Sequence, residues 1–237
     1  MYYTPRNMVL KSKKLIIVGA GEFAQIAYEY FTYDSEYEVV GFAVNKEYLP
    51  TGRLYDLPVI AVEDMRDVYP PDQYEVFVAI TYVKLNRSRK KLYRYCKELG
   101  YRCASYVSSH SFFWHNAVVG DNSFIFEDNT IQHFVSIGSN VIMWSGNHIG
   151  HRTKIADDCW LTSHNVISGF CNIEAGCFLG VNCTVGDNVH IAKDVILGAG
   201  SVTVKDLSQA GGVYIGSPAK LCDKTSYEKF NVLEEEI

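Results

Sequence analysis

The sequence predicts an α/β N-terminal domain followed by a parallel β-helix, and three observations support this fold class. Apolar residues recur at every sixth position from Phe113 to Leu197 without a miss. No proline occurs between Pro71 and Pro218, so a long backbone ladder keeps its N–H donors. The residues before Phe113 instead alternate short apolar runs with helical segments, as α/β domains do. We expect the first domain to span residues 1–108 and the second to span residues 109–237.

The six-residue period is neither that of an α-helix nor that of an ordinary strand. It is typical of a hexapeptide solenoid, in which three sixes make one triangular coil. We expect about five coils, stacked about 4.8 Å apart, with the first residue of each six pointing into the prism. These leading residues are Phe113, Val119, Ile125, Ile131, Ile137, Met143, Ile149, Ile155, Leu161, Ile167, Ile173, Leu179, Val185, Ile191 and Leu197.

Two further positions of each six have a restricted composition. The fifth residue is small, β-branched or able to form a side-chain ladder, as Ala117, Asn147 and Val195 show, so we expect it to face inward as well. The second residue is often glycine, alanine or serine, which we expect to suit a tight corner. Four of the seven cysteines occupy the fifth position: Cys159, Cys171, Cys177 and Cys183.

Composition limits the class of protein. The inward cysteines, with no CxxC spacing among them, predict reduced core thiols in a cytoplasmic protein rather than disulfides. A net charge of −5 and a pI near 5.8 argue against nucleic acid as a main partner. No apolar run reaches the length of a membrane span. Residues 1–13 lack the apolar segment of a signal peptide, and we expect them to form a loose or docking tail.

Local patterns predict the elements on either side of the solenoid. A buried strand over 14–18 leads into the turn Gly19–Ala24, which has the pattern GxGxxA. Further elements are expected as a helix over 22–32, strands over 37–43, 58–61, 74–80 and 101–105, and a basic helix over 86–99. After Ser201 a glycine-rich segment, 211–220, is expected to fold back on the last coil. A polar tail with a short helix follows.

The glycine turn offers free N–H groups at a helix N-terminus, which suits a phosphate. A dinucleotide site would need an acid at the end of the second strand, but that strand runs into Asn45 and the first carboxylate is Glu47. The domain is also short for a dinucleotide fold. We therefore favour a nucleotide-linked sugar over NAD, and a turn without any ligand is the remaining alternative.

The residues after the fourth strand are expected to line a ligand crevice, because ligands bind at the carboxyl ends of strands in open α/β sheets. Tyr82 can stack on or hydrogen-bond to a base, and Lys84 and Arg87 can meet a diphosphate. From Arg89 onward, we expect the basic helix to present a solvated face.

Four histidines lie in the middle of the predicted solenoid: His133, His148, His151 and His164. His133 and His151 are eighteen residues apart and both stand third in a six, so they should stack at one outward corner. Gly169 follows one coil later and offers an N–H with no side chain in the way. An imidazole base and a backbone donor about 4.8 Å apart suit acyl transfer, since one removes the nucleophile's proton and the other holds the oxyanion.

Two other interpretations of these histidines stay open. They can be surface or interface residues, or they can bind zinc shared between subunits, as in some β-helix proteins. Within one chain, His148 and His151 are three residues apart on a bent strand, which is poor spacing for two ligands of one metal ion.

The chain resembles the bacterial sugar acyltransferases of the sialic acid O-acetyltransferase type, which include N-acetyltransferases for nucleotide-linked amino sugars. The resemblance covers residues 14–220. It rests on VGAGEFA, on FVAI with the helix start Asn86-x-x-Arg89, on the hexapeptide array, on NHIGHRTKI and on GVYIGSPAK. It implies a left-handed β-helix, a homotrimer with active sites between subunits, acetyl-CoA as acyl donor and no metal.

The resemblance also implies roles for single residues. His151 matches the catalytic base, and Gly169 matches the backbone donor to the acetyl oxygen. The expected CoA contacts are Val181 and Ala199 along the pantetheine, with Lys220 at the nucleotide end. The expected contacts to the nucleotide sugar are Gly21, Glu22, Phe23 and Asn45, together with His148 and His164 near the cleft.

Two positions depart from the family pattern. Arg152 stands where some relatives carry an acid after the catalytic histidine, and no carboxylate in the sequence can be assigned to orient His151. Trp160 replaces a histidine that some relatives use near the donor.

The function that the sequence predicts is acetyl-CoA-dependent N-acetylation of a nucleotide-linked dideoxy amino sugar for surface polysaccharide such as lipopolysaccharide. The alternatives are an O-acetyltransferase of a sialic acid-like sugar, a zinc-dependent hydratase and a non-catalytic nucleotide-sugar sensor.

Overall fold

Two compact units make up the chain in the structure, a computed structural model that describes residues 10–49 and 52–237. The first unit contains the described residues up to Thr81, together with residues 91–106. The second contains residues 82–90 and 107–237. Residues 1–9 of the expected N-terminal tail lie outside the described residues. The remaining part of this tail, residues 10–13, is attached to the end of the first helix, α1 (Glu22–Tyr33), because the Lys11 ammonium donates to the carbonyls of Phe31, Thr32 and Ser35.

The first unit is built on a four-stranded parallel sheet in the order β3-β2-β1-β4. Its strands are β1 (Lys13–Val18), β2 (Tyr37–Val44), β3 (Val59–Ala61) and β4 (Glu75–Val78). Its helices are α1 (Glu22–Tyr33) and α2 (Met65–Val68), with 3-10 turns at Lys46–Tyr48 and Val62–Asp64. It also contains most of α3 (Arg87–Glu98), of which residues 87–90 belong to the second unit. The strand expected over 101–105 is wrong, since only a single bridge, Val76 to Cys103, joins this segment to β4.

The second unit is a prism of three parallel sheets, one on each flat side. The first sheet contains Val118–Val119, Ser136–Ile137, Lys154–Ile155, Asn172–Ile173 and His190–Ile191. The second contains Phe124–Ile125, Ile142–Met143, Trp160–Leu161, Phe178–Leu179, Ile196–Leu197, Val213–Ile215 and Lys220–Leu221. The third contains Phe112–Phe113, Thr130–Ile131, His148–Ile149, Val166–Ile167, Thr184–Val185 and Val202–Thr203. A short strand, Tyr106–Val107, precedes them.

The strands pair in a register that advances by one coil. Ile137 pairs with Ile155, and Leu161 pairs with Leu179, each eighteen residues apart. From Ile125 to Leu197 every leading residue of a six is at most 2% exposed. The inward stacking that the period predicts is therefore confirmed. Only the first two leading residues, Phe113 and Val119, are partly exposed at the open end of the prism.

The inward role of the fifth residue is confirmed by burial and by a ladder of amides. Asn129 Oδ1 accepts from the Asn147 N–H at 3.0 Å, and Asn147 Oδ1 accepts from the Asn165 N–H at 2.9 Å. Asn165 Oδ1 continues the ladder to the Cys183 N–H at 2.9 Å. Each buried amide therefore satisfies a donor one coil further along, which makes polar residues tolerable in this core.

The expected role of the second residue in the corners is wrong. The corner residue is the fourth of each six, which from Asn122 onward has a left-handed φ, such as +58° at Asn140 and +63° at Asp158. Asparagine, aspartate and glycine accept this conformation most easily. Glycines at the second position serve close stacking instead, because a Cβ at Gly150 would lie 2.6 Å from the Gly169 nitrogen.

The seven cysteines are all free thiols, and six of them are buried. Burial raises the pKa of the Cys96 thiol to about 12 and that of the Cys183 thiol to about 11. Since the thiolate is the reactive form, these groups should be inert at neutral pH. We expect a chromogenic disulfide reagent to modify about one thiol per chain quickly, at the partly exposed Cys222, and the rest only after unfolding. Fast modification of several thiols in a Cys222→Ser variant would contradict this.

The segment after the last coil folds back on it, as the sequence predicts. Val213–Ile215 pairs in parallel with Ile196–Leu197, and Lys220–Leu221 returns antiparallel. Helix α4 (Ser226–Phe230) follows with Thr225 as its N-cap, and the 3-10 turn Glu234–Glu236 ends the chain. Within residues 10–49 and 52–237, no helix has the length and apolar character needed to cross a membrane.

Candidate functional site

The histidine corner is the prism edge formed by the third and fourth residues of every third six. Its third-position column contains His115, His133, His151, Gly169 and Asp187. The rings of His133 and His151 are stacked, with centroids 5.4 Å apart and planes 16° from parallel. The coil geometry therefore stacks these two imidazoles as the sequence predicts.

The imidazole of His151 lies directly against Gly169. A Cβ built on Gly169 would stand 2.6 Å from His151 Cε1 and 3.0 Å from both ring nitrogens. Gly169 does not have a left-handed φ, so this glycine is needed for space rather than for backbone conformation. The chain thus brings together an imidazole and a main-chain amide of the kind that acyl transfer uses.

The amide of Gly169, however, has a side-chain partner, contrary to the prediction of an unobstructed N–H. Its N–H donates to Asp187 Oδ1 at 3.0 Å, one coil further along the same column. The pattern that produces this contact is visible in the sequence, since Gly169 and Asp187 are both third in a six and eighteen residues apart. Any acyl oxygen that uses this donor has to displace the carboxylate.

The His151 ring is held by packing against two neighbouring rings. His133 covers one side, and the Phe170 ring meets it edge-on at 5.1 Å. The backbone N–H of His151 donates to Gln132 Oε1 at 2.8 Å. Over the described part of the chain, no carboxylate lies within ion-pair distance of the ring. Arg152 turns away and stacks on Phe134, with its guanidinium carbon 4.4 Å from the ring centroid.

The other expected solenoid residues lie elsewhere on the prism. Val181 and Ala199 are both exposed and are one coil apart in the corner that begins at the end of the second sheet. His164 is in this same corner, where its ring packs against Gly146. His148 is on the flat third side, paired with Thr130 and Val166. Lys220 is exposed beyond the last coil. A single chain therefore does not bring Val181, Ala199 or His164 to His151.

The structure corrects the expectation for the residues after β4, which belong to the second unit. Tyr82 packs its ring against Trp160, Phe178 and Phe230. Lys84 forms an ion pair with Glu236 at 2.9 Å. Arg87 forms a bidentate pair with Asp194 at 2.7 and 2.8 Å. Arg87 is thus a structural residue rather than the expected diphosphate ligand, and Tyr82 and Lys84 also have internal partners.

The prediction that the basic helix presents a solvated face from Arg89 onward is also wrong for the first of these residues. Arg89 is fully buried, and its guanidinium donates to the side chains of Asn86 and Asn140 and to the Asn140 carbonyl. It also stacks over the Trp160 ring at 5.2 Å. Lys90 pairs with Asp158 at 2.7 Å. Burial lowers the pKa of Arg89 to about 10, so the group is still charged at neutral pH. The first turn of α3 is therefore a core element of the second unit.

In the first unit, the glycine turn contains one glycine that internal packing requires and one with open space around it. Gly19 has a φ of +133°, and a Cβ there would lie 2.7 Å from the Ala79 carbonyl oxygen. Gly21 is the N-cap of α1 and has open space around its Cα. Glu22 and Asn45 are exposed. The side chain of Phe23 is buried against Phe77, so only its backbone is available to a ligand.

Within residues 10–49 and 52–237, no three side chains of histidine, cysteine, aspartate or glutamate are grouped so that they could hold a metal ion. The zinc interpretation thus gains no support from a single chain.

Comparisons with known proteins place these features in a family context. Residues 14–96 match the PglD N-terminal domain family. No curated protein sequence matches the chain. Among solved structures, a mutant of perosamine N-acetyltransferase from Caulobacter crescentus, in complex with CoA and GDP-perosamine, is similar with a TM-score of 0.79. That likeness has 24% sequence identity and covers 91% of this chain and 100% of the other.

Two further structures have the same fold. WeeI from Acinetobacter baumannii is 21% identical with a TM-score of 0.60, over 89% of this chain and 100% of the other. The acetyltransferase domain of PglB from Neisseria gonorrhoeae, in complex with acetyl coenzyme A, is 20% identical with a TM-score of 0.57, over 89% and 99%. The predicted fold, an α/β domain followed by a left-handed β-helix, is confirmed. The predicted resemblance to sugar acyltransferases is supported by both findings.

Proposed function

We propose that this chain, which has the fold of the hexapeptide-repeat sugar acetyltransferases, is an acetyl-CoA-dependent N-acetyltransferase acting on a nucleotide-linked amino sugar. The observation that carries the proposal is the imidazole of His151 lying against the Cα of Gly169 at a prism corner, next to a main-chain N–H. The similar perosamine N-acetyltransferase was solved with CoA and GDP-perosamine, and the PglB domain was solved with acetyl coenzyme A. These ligands are the substrate classes that we carry over to this chain.

The proposed reaction is a direct attack without a covalent enzyme intermediate. The neutral sugar amine attacks the thioester carbon, and its lone pair forms the new C–N bond. Negative charge then develops on the carbonyl oxygen, where the Gly169 N–H stabilises it. His151 accepts the proton that the amine loses. The intermediate collapses as the C–S bond breaks, and the CoA thiolate leaves and is protonated, so the acetyl group ends on nitrogen.

The proposed contacts for the nucleotide lie in the first unit. The glycine turn at Gly21 and Glu22, the backbone of Phe23 and the end of β2 at Asn45 are the proposed contacts for the nucleotide. Their support is the open space at Gly21 and the match of residues 14–96 to the PglD N-terminal domain family.

For CoA, the proposed contacts are Val181, Ala199 and Lys220. The first two lie at a different corner from His151, so a complete site needs the histidine corner of one subunit and the Val181 corner of another. This argument supports the expected homotrimer, which light scattering of the purified protein tests. His148 and His164 stay proposed sugar contacts on either side of such a cleft. A cytoplasmic location and a role in surface polysaccharide synthesis also stay predictions.

The experiment that tests the function is an assay of thiol release from acetyl-CoA with dTDP-, UDP- and GDP-linked amino sugars. We expect release with at least one of them, an acetylated nitrogen in the product and no release with the matching hydroxyl sugars. Transfer to a hydroxyl group would favour the O-acetyltransferase alternative. Absence of thiol release with every amino sugar would reject the proposal.

Replacing Gly169 by alanine tests the close packing of the His151 imidazole against this glycine. The new methyl group would stand 2.6 Å from His151 Cε1, so the ring has to move while the backbone can stay. A misplacement of about 1 Å in a catalytic group costs roughly 10²-fold in rate, and we expect a loss of that size. The melting temperature should change little. Wild-type turnover in Gly169→Ala would contradict the proposed geometry.

A further inference from the structure

We propose that Asp187 competes with the acyl carbonyl for the Gly169 N–H and so weakens binding of the acyl donor relative to free CoA. The inference rests on the proposed function and adds to it a residue that determines which form of CoA binds. It starts from one contact, the hydrogen bond from the Gly169 N–H to Asp187 Oδ1 at 3.0 Å.

The contact occupies the donor that the acyl oxygen needs. The Gly169 backbone is buried, and its N–H can be well aligned with only one acceptor at a time. A carboxylate is a stronger acceptor than a neutral thioester carbonyl, because hydrogen bonds to ionised groups are shorter and stronger. The acyl donor therefore has to displace Asp187 before its oxygen reaches the amide.

Displacement is structurally possible because Asp187 lies at the surface of the histidine corner. In the described chain its carboxylate makes no other hydrogen bond or ion pair, so it can turn into solvent without breaking a further contact. Free CoA ends in a thiol and has no carbonyl to place on Gly169. The Asp187 carboxylate should thus lower the affinity for acetyl-CoA but not the affinity for free CoA.

The prism contains a matched contact away from the histidine corner. Asp157 Oδ1 accepts from the Ser139 N–H at 2.8 Å, and these residues are also eighteen apart and third in their sixes. No imidazole lies in that column, which contains Asp121 one coil before Ser139. Replacing Asp157 therefore measures what a hydrogen bond of this kind contributes to the stability of the fold, apart from any effect on the histidine corner.

The experiment is isothermal titration of acetyl-CoA and of CoA into the wild-type protein and the variants Asp187→Ala, Asp187→Asn and Asp157→Ala. Losing one partly solvated, charge-assisted hydrogen bond should tighten acetyl-CoA binding to Asp187→Ala by about three- to tenfold. CoA binding should stay unchanged. Asp187→Asn keeps a neutral acceptor and should show a smaller gain. Asp157→Ala should match the wild type for both ligands.

Several outcomes would overturn the inference. One is equal tightening of CoA and acetyl-CoA binding in the Asp187 variants, which indicates a general charge effect. Another is unchanged acetyl-CoA binding in both Asp187 variants. The third is the same gain in acetyl-CoA affinity in Asp157→Ala. Each leaves the proposed function standing if the wild type still binds both ligands. If the wild type binds neither, the proposed function falls as well. Thermal melting of each variant shows whether it is folded. If Asp187→Ala is unfolded, acetyl-CoA and CoA binding to Asp187→Asn provides the test.

Discussion

The His151→Ala variant is expected to turn over its amino sugar roughly 10²- to 10⁴-fold more slowly than the wild type, the usual range for loss of a general base. The variant lacks the imidazole that lies beside Gly169 and accepts the proton of the amine in the proposed reaction, while His133 stays one coil further away. Affinity for acetyl-CoA should change little, because the proposed CoA contacts lie elsewhere. Steady-state kinetics with saturating acetyl-CoA measure the effect on kcat directly.

A second histidine of the solenoid provides the control. His190 lies on the first flat side of the prism and pairs with Glu174 at 2.8 Å, away from the histidine corner. We expect His190→Ala to keep turnover within a few-fold of the wild type. If His151→Ala also stayed within a few-fold, His151 would not be the base.

The Arg89→Ala variant is expected to lower the free energy of unfolding by about 3–5 kcal/mol. The substitution removes a fully buried guanidinium and leaves a cavity beside Trp160. It also removes the Arg89 donor from the Asn140 carbonyl, and Asn140 Oδ1 keeps only the bond from Asn122 Nδ2. Denaturant titration followed by circular dichroism measures the change.

Arg94 provides the matched control, since it lies in the same helix, α3, but is exposed. We expect Arg94→Ala to change the free energy of unfolding by no more than about 0.5 kcal/mol. Arg89→Lys should fall between the two, because it keeps the charge but loses the planar fork that reaches several acceptors. Equal stability of Arg89→Ala and Arg94→Ala would contradict the structural role of Arg89.

The solenoid could be predicted from sequence because its contacts repeat at a fixed separation. Once the period of six is seen, every residue is known to meet the residue eighteen positions away. That rule was enough to place His133 on His151 and His151 on Gly169. The same rule places Asp187 on Gly169, so the partner of this amide is also visible in the sequence.

The contacts of residues 82–90 could not be predicted in this way. Lys84, Arg87 and Arg89 meet Glu236, Asp194 and Asn140, respectively, at separations that follow no repeat. A basic helix start after a strand is also typical of a solvated face or an anion site, and sequence spacing alone cannot distinguish these from a buried guanidinium. Whether such a group is buried or solvated depends on partners far apart in the chain, and only the fold brings these partners together.

The second residue of each six shows a different limit of sequence analysis. Gly150 was correctly expected to be small, but for the wrong reason. Glycine is compatible both with a left-handed turn and with close stacking of two backbones, and the residue type alone does not separate the two. The coordinates do, because Gly150 has no left-handed φ while its Cα lies against the next coil.

The most direct test is a crystal structure of the protein with acetyl-CoA and a nucleotide diphosphate. We expect the thioester to lie at the histidine corner, with its carbonyl oxygen on the Gly169 N–H and His151 facing the carbonyl carbon. A thioester bound at another side of the prism, with His151 and Gly169 both out of its reach, would contradict the proposed chemistry.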